Sequence, residues 1–293
     1  ALPILYIAFV LGTILYSDIL TTSQTGIIIG GTVIVIGGII DDIKDLSPKY
    51  KVLIQVIAAV CLIMAGVRIT IITNPFNQVY PYIDMGWINI PVTIIWIVGV
   101  TNAFNLIDGL DGLAAGIAFI SCVTLMIISI LNGRLEAVYL TAVLSGAILG
   151  FLPYNFNPAS IFMGDTGSQL LGFLLAAISI ECAIKSATAF VIAVPILAFG
   201  LPIYDTLFAI IRRKVNGKSM LQADKGHLHH RLLKMGLSQK QAVIIMYFIS
   251  AILGGMAIVA MEISTKRAYF LLASVIVTIV LIAWKYGIFQ QNE

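Results

Sequence analysis

Each cluster of acidic residues that could do chemistry stands where a long apolar run of this chain ends. Charge is costly in or near hydrocarbon, so acids repeated at the ends of apolar segments are typical of a functional site. We expect these acids to lie together at one membrane surface, to share a cation and to act on a lipid. They are Asp41, Asp42 and Asp45; Asp108 and Asp111; Asp165; and Asp224, which precedes His227, His229 and His230.

The composition is that of an integral membrane protein. Hydrophobic residues make up 60% of the 293 residues and charged residues 11%, with a mean hydropathy of +1.03. Ten apolar runs are candidate spans, although several are shorter than the roughly 20 residues that cross a bilayer. The sequence thus predicts an all-α, polytopic membrane bundle of ten spans, forming one domain over residues 1–293. The runs cover about 2–16, 26–40, 52–67, 90–104, 113–131, 135–152, 168–182, 187–211, 241–261 and 268–284.

Charge asymmetry predicts the orientation of the bundle. If the spans alternate, the segments that carry the acids hold twelve Lys and Arg residues and the opposite segments hold five. The positive-inside rule then places the acids on the cytoplasmic side. No basic tract with interleaved aromatics is present, so we expect no nucleic-acid partner. The outer segment 68–89 has the pattern of a short β-hairpin.

The first acidic segment predicts a charge cluster at a helix end. On a helix, Asp41, Asp42 and Asp45 lie within about one turn of each other, so they repel unless a cation or Lys44 intervenes. The alternative is a solvated polar turn. Carboxylates oppose the helix dipole at a C-terminus, which favours a functional role.

The second segment, Asn102 to Gly112, is more specific. Asp108 and Asp111 are three residues apart and share one side of a helical turn, while Gly109 and Gly112 allow a backbone or phosphate to approach closely. Oxygen ligands in this arrangement suit Mg²⁺. An Asx-turn loop between helices is the alternative.

The third and fourth segments leave more than one interpretation open. Asp165 and Thr166 either only cap the next helix or belong to a site in which its N-terminal amides bind an anion, and Phe162 either stacks on a base or packs in the core. On one helix His227 and His230 would share a face and His229 would point away, which disfavours a zinc site. The histidines suit a phosphate or decorate the surface.

Jointly the motifs resemble the polyprenyl-phosphate N-acetylhexosamine-1-phosphate transferase family, or glycosyltransferase family 4. The resemblance covers nearly the whole chain. Asp45 and the His-x-His-His order are similar to the WecA/TagO branch, whereas the MraY branch has Lys and three adjacent histidines there. The matching motifs are Asp-Asp-x-x-Asp at 41–45, Asn-x-x-Asn-x-x-Asp-Gly-Leu-Asp-Gly at 102–112, Phe-Met-Gly-Asp-x-Gly-Ser at 162–168 and His-x-His-His at 227–230.

The resemblance implies a reaction at a bacterial plasma membrane. It is transfer of N-acetylglucosamine 1-phosphate from UDP-N-acetylglucosamine to undecaprenyl phosphate, with release of UMP, as the first membrane step of cell-surface polysaccharide or teichoic acid synthesis. Mg²⁺, with Mn²⁺ as a substitute, is the implied cofactor, and a homodimer is compatible with the family. The branch has eleven spans, so we expect an eleventh helix before Ala1.

The resemblance and the local chemistry assign roles to individual residues. We expect Asp165 to bind the metal with Asp108 and Asp111, and Asp41 and Asp42 to orient or deprotonate the lipid phosphate, a covalent intermediate remaining open. The other catalytic candidates are His227, His229 and His230, and the substrate-binding candidates are Lys49, Asn105, Asn155, Phe162 and Arg231.

Three further features of the sequence leave choices open. Pro195 and Pro202 should kink the long run 187–211 and open a groove for the prenyl chain. Asp205 in the same run is either part of the site or a structural acid held by a salt bridge. The alternative functions are an MraY-like phospho-N-acetylmuramoyl-pentapeptide transferase and a cation-coupled transporter.

Overall fold

Helices form at every apolar run of the sequence. The computed structural model describes residues 2–17, 19–74, 82–183, 193–217 and 226–285. Its helices are α1 (Leu2–Tyr16), α2 (Thr22–Lys44), α3 (Pro48–Met64), α4 (Asn89–Ile107), α5 (Leu113–Leu131), α6 (Leu135–Asn155), α7 (Gly164–Ala183), α8 (Ala193–Ala198), α9 (Gly200–Val215), α10 (Leu228–Lys234), α11 (Gln239–Glu262) and α12 (Thr265–Lys285).

Six stretches of helix are long and apolar enough to cross a membrane. The described residues also contain a shorter apolar helix, Ile4–Tyr16. A multi-pass helical membrane bundle is therefore confirmed, but the predicted count of ten spans is not, because several runs form shorter or more polar helices. The six stretches are Thr22–Lys44, Gly86–Ile107, Leu113–Leu131, Leu135–Asn155, Gln239–Glu262 and Lys266–Lys285.

The predicted hairpin is a two-stranded antiparallel sheet. Strands β1 (Ile71–Thr73) and β2 (Tyr82–Asp84) pair with Ile72 opposite Ile83. The backbone N–H of Ile69 donates to Thr93 Oγ1 of α4 at 3.0 Å, which fixes the hairpin to the bundle. Residues 75–81, which connect the strands, lie outside the described part of the chain.

Local signals set the helix ends that carry the acids. Asp45 ends α2 in the left-handed region, with φ of 50°, and its N–H donates to the Asp41 carbonyl at 2.8 Å. Pro48 then starts α3 at a position where its missing N–H costs nothing. This sharp turn leaves Asp41 and Asp42 in the last turn of α2, next to the beginning of α3.

Helix α7 lies at the centre of the bundle. Every residue from 166 to 182 is buried, and α7 packs on α2, α4 and α5. Glycines permit the close approach, because a Cβ on Gly172 would lie 2.7 Å from Thr101 Cα and a Cβ on Gly38 would lie 2.6 Å from Thr166 Cα. The N-terminus of α7, with Asp165, is therefore placed between the ends of α2 and α4.

The predicted kink in the run 187–211 is confirmed. Helix α8 ends at Ala198 and α9 begins at Gly200, with Phe199 between them. Both helices contain the proline expected to interrupt the regular hydrogen bonds, Pro195 in α8 and Pro202 in α9. A groove opens beside this break and is described with the site.

Replacing Gly172 with alanine should destabilise the bundle, because the new methyl group meets backbone atoms of α4 that cannot move aside. We expect Gly172→Ala to reduce the free energy of unfolding by about 1 to 3 kcal/mol. Thermal unfolding in detergent would measure it. The matched control is Gly146→Ala in α6, where a Cβ meets nothing within 4 Å; equal effects of the two variants would contradict the packing argument.

Candidate active site

A lysine joins the acids of two helices. Lys51 of α3 places Nζ 2.7 Å from Asp41 Oδ2 and 2.6 Å from Asp165 Oδ2. The contact with Asp165 is also a hydrogen bond, whereas that with Asp41 has the distance of an ion pair but not the angles of a hydrogen bond. Asp41 is buried, so Lys51 provides the nearby positive charge that a buried carboxylate requires.

The remaining acids of the first segment have different surroundings. Asp42 is exposed and accepts a hydrogen bond from Thr166 Oγ1 at 2.5 Å, which ties the end of α2 to the start of α7. Asp45 is exposed at the C-cap. The cation that relieves the repulsion is therefore Lys51 rather than Lys44, which lies exposed in the last turn of α2.

Asn105 holds the other oxygen of Asp165. Its Nδ2 lies 3.3 Å from Asp165 Oδ1 and 3.0 Å from Ser168 Oγ. Asp165 lies inside the first turn of α7 and its carboxylate binds Lys51 and Asn105, so the cap proposed as an alternative for Asp165 is not its position. The carboxylate is thus oriented from both sides before any ligand binds.

A network of hydrogen-bonded side-chain amides supports these residues from deeper in the bundle. Gln55 Nε2 donates to Gln169 Oε1 at 3.0 Å, and Asn102 Nδ2 donates to Gln55 Oε1 at 2.6 Å. The three side chains join α3, α7 and α4. Sequence reasoning missed Gln55, Gln169 and Lys51, although a polar residue inside an apolar run signals that its face is turned from lipid.

Asp108 and Asp111 lie in the loop that follows α4. Burial, and then the negative charges of Asp165 and Asp111, raise the pKa of Asp108 to about 7. Asp111 Oδ2 accepts hydrogen bonds from Asn157 Nδ2 at 3.0 Å and from the Ala159 N–H at 3.2 Å. Asp108 is therefore the acid with the greatest need of a positive charge, while Asp111 also anchors the loop after α6.

The carboxylate oxygens suit an open Mg²⁺ site, completed by water and substrate, better than a metal site that protein ligands close on their own. Within the described ranges, no three His, Cys, Asp or Glu side chains form a ready-made metal site. Mg²⁺ is usually bound through one or two carboxylates together with waters and substrate phosphates. Asp165 and Asp108, whose charges interact, meet that requirement.

The histidine segment reaches the same site from α9. His227 has an extended backbone and precedes α10, which begins at Leu228. The rings of His227 and His229 lie parallel, with an angle of 7° and centroids 5.8 Å apart. The expected arrangement, in which His229 points away from His227, was wrong, because it assumed that the helix already includes His227.

His229 connects this segment to the acidic loop. It is buried, and its imidazole packs so closely on Gly109 that residue 109 has no room for a side chain. Burial, and then the neighbouring His230, lower the pKa of His229 to about 4, although Asp205 opposes the shift. His229 is therefore a neutral imidazole at physiological pH, packed on Gly109, the residue that follows Asp108.

Two of the predicted substrate-binding residues lie between the end of α6 and the start of α7: Asn155 is the last residue of α6, and Phe162 is in the loop that follows. Asn155 is 3% exposed, and its Nδ2 donates to the Ile161 carbonyl at 3.0 Å, so its Oδ1 is the atom still able to accept a hydrogen bond. Phe162 is 72% exposed. It is thus a surface aromatic ring and not a core residue.

The last two substrate-binding candidates, Lys49 and Arg231, lie in α3 and α10. Lys49 is exposed in the first turn of α3. Arg231 is partly buried, and its Nε donates to the Gly226 carbonyl at 3.1 Å. Residues 218–225, which include Asp224 and Lys225, lie outside the described residues.

An apolar cavity of about 320 Å³ lies between α4 and α9. It follows α4 from Val92 to Ala103, about 16 Å at 1.5 Å per residue. Ala103 lies five residues before Asp108, so the cavity approaches the acidic site. Thr206 is the one polar residue among its lining side chains in the described structure. The cavity thus offers hydrocarbon-like space beside a charged site.

Comparison with known proteins identifies the family of this chain. Residues 24–183, which include the first three acidic groups, match the model of glycosyl transferase family 4. The chain belongs to this family. It is 40% identical over 286 residues to a Bacillus subtilis protein named as a probable undecaprenyl-phosphate N-acetylglucosaminyl 1-phosphate transferase, covering 98% of this chain and 78% of the relative.

Other members of glycosyl transferase family 4 match over shorter regions. The decaprenyl-phosphate N-acetylglucosaminephosphotransferase of Mycolicibacterium smegmatis is 36% identical over 248 residues, which is 78% of this chain and 61% of the relative. The phospho-N-acetylmuramoyl-pentapeptide-transferase of Halalkalibacterium halodurans is 34% identical over 220 residues, covering 73% of this chain and 64% of the relative. The chain therefore spans less than two thirds of both.

Removing the positive charge of Lys51 should destabilise the protein, because the buried carboxylate of Asp41 then has no partner. We expect Lys51→Met to reduce the free energy of unfolding by about 3 kcal/mol, because Asp41 is left as an unpaired buried charge. Thermal unfolding in detergent at neutral pH would measure this. Lys49→Met is the matched control, since Lys49 is exposed two residues away. A Lys51→Met protein as stable as the control would contradict the role of this ion pair.

Stability should depend on pH through His229. Its pKa is about 4 in the folded protein and about 6.5 in an unfolded chain, so only the unfolded state takes up the proton between these values. Stability is then complete above about pH 6.5 and falls by up to about 3 kcal/mol as the pH approaches 4. His229→Gln should lack this part of the decline in unfolding midpoints measured from pH 7.5 to 4.5. Parallel curves for the variant and the unmodified protein would refute the assignment.

Proposed function

We propose that this protein transfers N-acetylglucosamine 1-phosphate from UDP-N-acetylglucosamine to undecaprenyl phosphate and releases UMP. The observation that carries the proposal is an acidic site, held by Lys51, at the end of α4, the helix that also lines an apolar cavity. One substrate of such a reaction is a phosphate on a long hydrocarbon chain, and the other is a diphosphate. The name of the Bacillus subtilis relative, a probable undecaprenyl-phosphate N-acetylglucosaminyl 1-phosphate transferase, supports the same reaction.

The reaction joins two anions. An oxygen of the lipid phosphate attacks the β-phosphorus of the UDP-sugar, and the bond from that phosphorus to the bridging oxygen breaks, so that UMP leaves with the bonding electrons. Positioning and charge stabilisation provide most of the rate in such transfers. A phosphate monoester has its second pKa near about 6, so the lipid phosphate is already largely ionised at neutral pH.

The acids take different parts in this proposal. Asp42 is exposed and would orient the lipid phosphate, while Asp41, which is buried against Lys51, keeps the end of α2 in place. Asp165 and Asp108 would hold Mg²⁺, with Mn²⁺ as a substitute, and Asp111 would add a ligand or fix the loop. When bound, the metal would neutralise negative charge on the diphosphate and make phosphorus easier to attack.

The remaining side chains would recognise the two substrates. Phe162 offers a free ring face for uracil, and Asn155 Oδ1 offers an acceptor nearby. Lys49 would meet the anionic lipid headgroup. The histidines, with Arg231, would contact the diphosphate and the sugar, and the cavity between α4 and α9 would receive the first isoprene units.

The proposed setting is the plasma membrane of a bacterium, with the site on the cytoplasmic face. The excess of Lys and Arg on the acidic side supports this orientation. The reaction would begin the membrane stage of cell-surface polysaccharide or teichoic acid synthesis. A homodimer is compatible with the proposal but is not required by it.

Asp165→Asn should abolish turnover, because the amide removes the negative charge shared by Lys51 and the proposed metal. UMP release by purified protein, supplied with undecaprenyl phosphate, UDP-N-acetylglucosamine and Mg²⁺, should fall at least about 100-fold. Asp84→Asn makes the same chemical change on exposed β2 and serves as the control. Full activity of Asp165→Asn would remove Asp165 from the proposed metal site.

A panel of donors would test the substrate. UMP should be released from UDP-N-acetylglucosamine and not from UDP-N-acetylmuramoyl-pentapeptide, and chelation of divalent cations should stop release until Mg²⁺ is restored. Release from the pentapeptide donor would favour the muramoyl alternative. Cation flux into proteoliposomes without any UDP-sugar would favour the transporter.

A further inference from the structure

Asp205 of α9 binds the start of the histidine segment with both of its carboxylate oxygens. Oδ2 lies 2.7 Å from His227 Nδ1, and Oδ1 accepts the backbone N–H of Leu228 at 2.9 Å. Asp205 is 8% exposed and His227 is 5% exposed. A buried carboxylate thus fixes the position and the ring orientation of one histidine.

We propose that Asp205 is a positioning residue that sets the tautomer of His227 for the transfer reaction. The inference rests on the proposed function, because it assigns a task to His227 within the same site. An ionised carboxylate only accepts hydrogen bonds, so His227 Nδ1 carries a proton. Nε2 is therefore the ring nitrogen available to accept a proton, and once protonated it can donate a hydrogen bond to a phosphate oxygen.

Helix α9 supports the segment at a second point. Arg212 is 1% exposed, and its guanidinium packs so closely on Gly226 that a side chain at residue 226 would collide with it. Asp205 and Arg212 are seven residues apart and so share one face of α9. The segment is held immediately before and immediately after the His227 backbone, which leaves its imidazole little freedom to rotate.

The geometry also connects His227 to the acids. Its ring is parallel to that of His229, which packs on Gly109 beside Asp108. A displacement of His227 would therefore disturb the packing of a second imidazole against the acidic loop. In this arrangement the carboxylate acts on the reaction through His227 and does not itself touch a substrate.

The first variant is Asp205→Asn, which keeps the size of the side chain and changes its hydrogen bonding. The amide oxygen still accepts the Leu228 N–H, and the amide NH₂ then faces His227 Nδ1, so the imidazole proton moves to Nε2. We expect kcat for UMP release to fall about 10- to 100-fold, with KM for UDP-N-acetylglucosamine changed less than about threefold. Unchanged kcat in a folded variant would overturn the proposal.

A double-mutant cycle separates this role from general support of the fold. If Asp205 acts through His227, then Asp205→Asn should cost no more than about twofold in a His227→Gln background, although it costs much more in the unmodified protein. Multiplication of the two single effects would overturn the proposal. If Asp205→Asn does not fold, the pair Asp205→Glu and Asp205→Gln repeats the comparison, and the carboxylate variant should be at least about tenfold faster.

A spectroscopic measurement is independent of turnover. The chain contains three histidines, so ¹⁵N-histidine labelling gives three pairs of ring-nitrogen signals, and His227→Gln identifies the pair from His227. At neutral pH the His227 signal should show protonated Nδ1 in the unmodified protein and unprotonated Nδ1 in Asp205→Asn. The opposite pattern would overturn the tautomer assignment, whereas correct signals in a protein that releases no UMP would count against the proposed function alone.

Discussion

The Lys51 ammonium between Asp41 and Asp165 is the interaction on which the site depends. It joins three helices at the point where each meets the edge of the apolar bundle. Two carboxylates brought together by α2 and α7 would otherwise repel each other, and that of Asp41 is buried where water screens little. The glycines let α7 approach α2 and α4 closely, which also brings the two carboxylates together. The positive charge of Lys51 makes this approach of two negative charges tolerable.

The positions of the helices along the sequence were largely predictable, because hydrophobic runs must be buried or covered by lipid, and there the backbone satisfies its hydrogen bonds as a helix. Each run overlaps a helix, and the break near Pro195 and Pro202 follows from the missing proline N–H groups. The number of spans was not predictable in the same way. Helix α3 has 17 residues and the run 187–211 is divided, so length and hydropathy do not decide which helices cross.

The site was predictable in its acids and less so in its connections. Sequence spacing indicated that Asp108, Asp165 and the histidines belong to one region, because all follow or precede apolar runs on the same predicted side. It did not indicate Lys51 as the partner of Asp41, since the pairing depends on the turn at Asp45 and Pro48. The orientation of His229 was missed because a one-residue difference in the start of α10 rotates the side chains by about 100°.

Helix α9 presents two chemically different surfaces. Ile203, Leu207 and Ile210 line the apolar cavity, whereas Asp205 and Arg212 lie about 140 to 180° around the helix axis from them and hold the histidine segment. The same helix therefore sets both the shape of the apolar cavity and the position of the His227 imidazole. A substitution that rotates α9 to widen or narrow the cavity would also rotate the Asp205 carboxylate, so the two features cannot be changed independently.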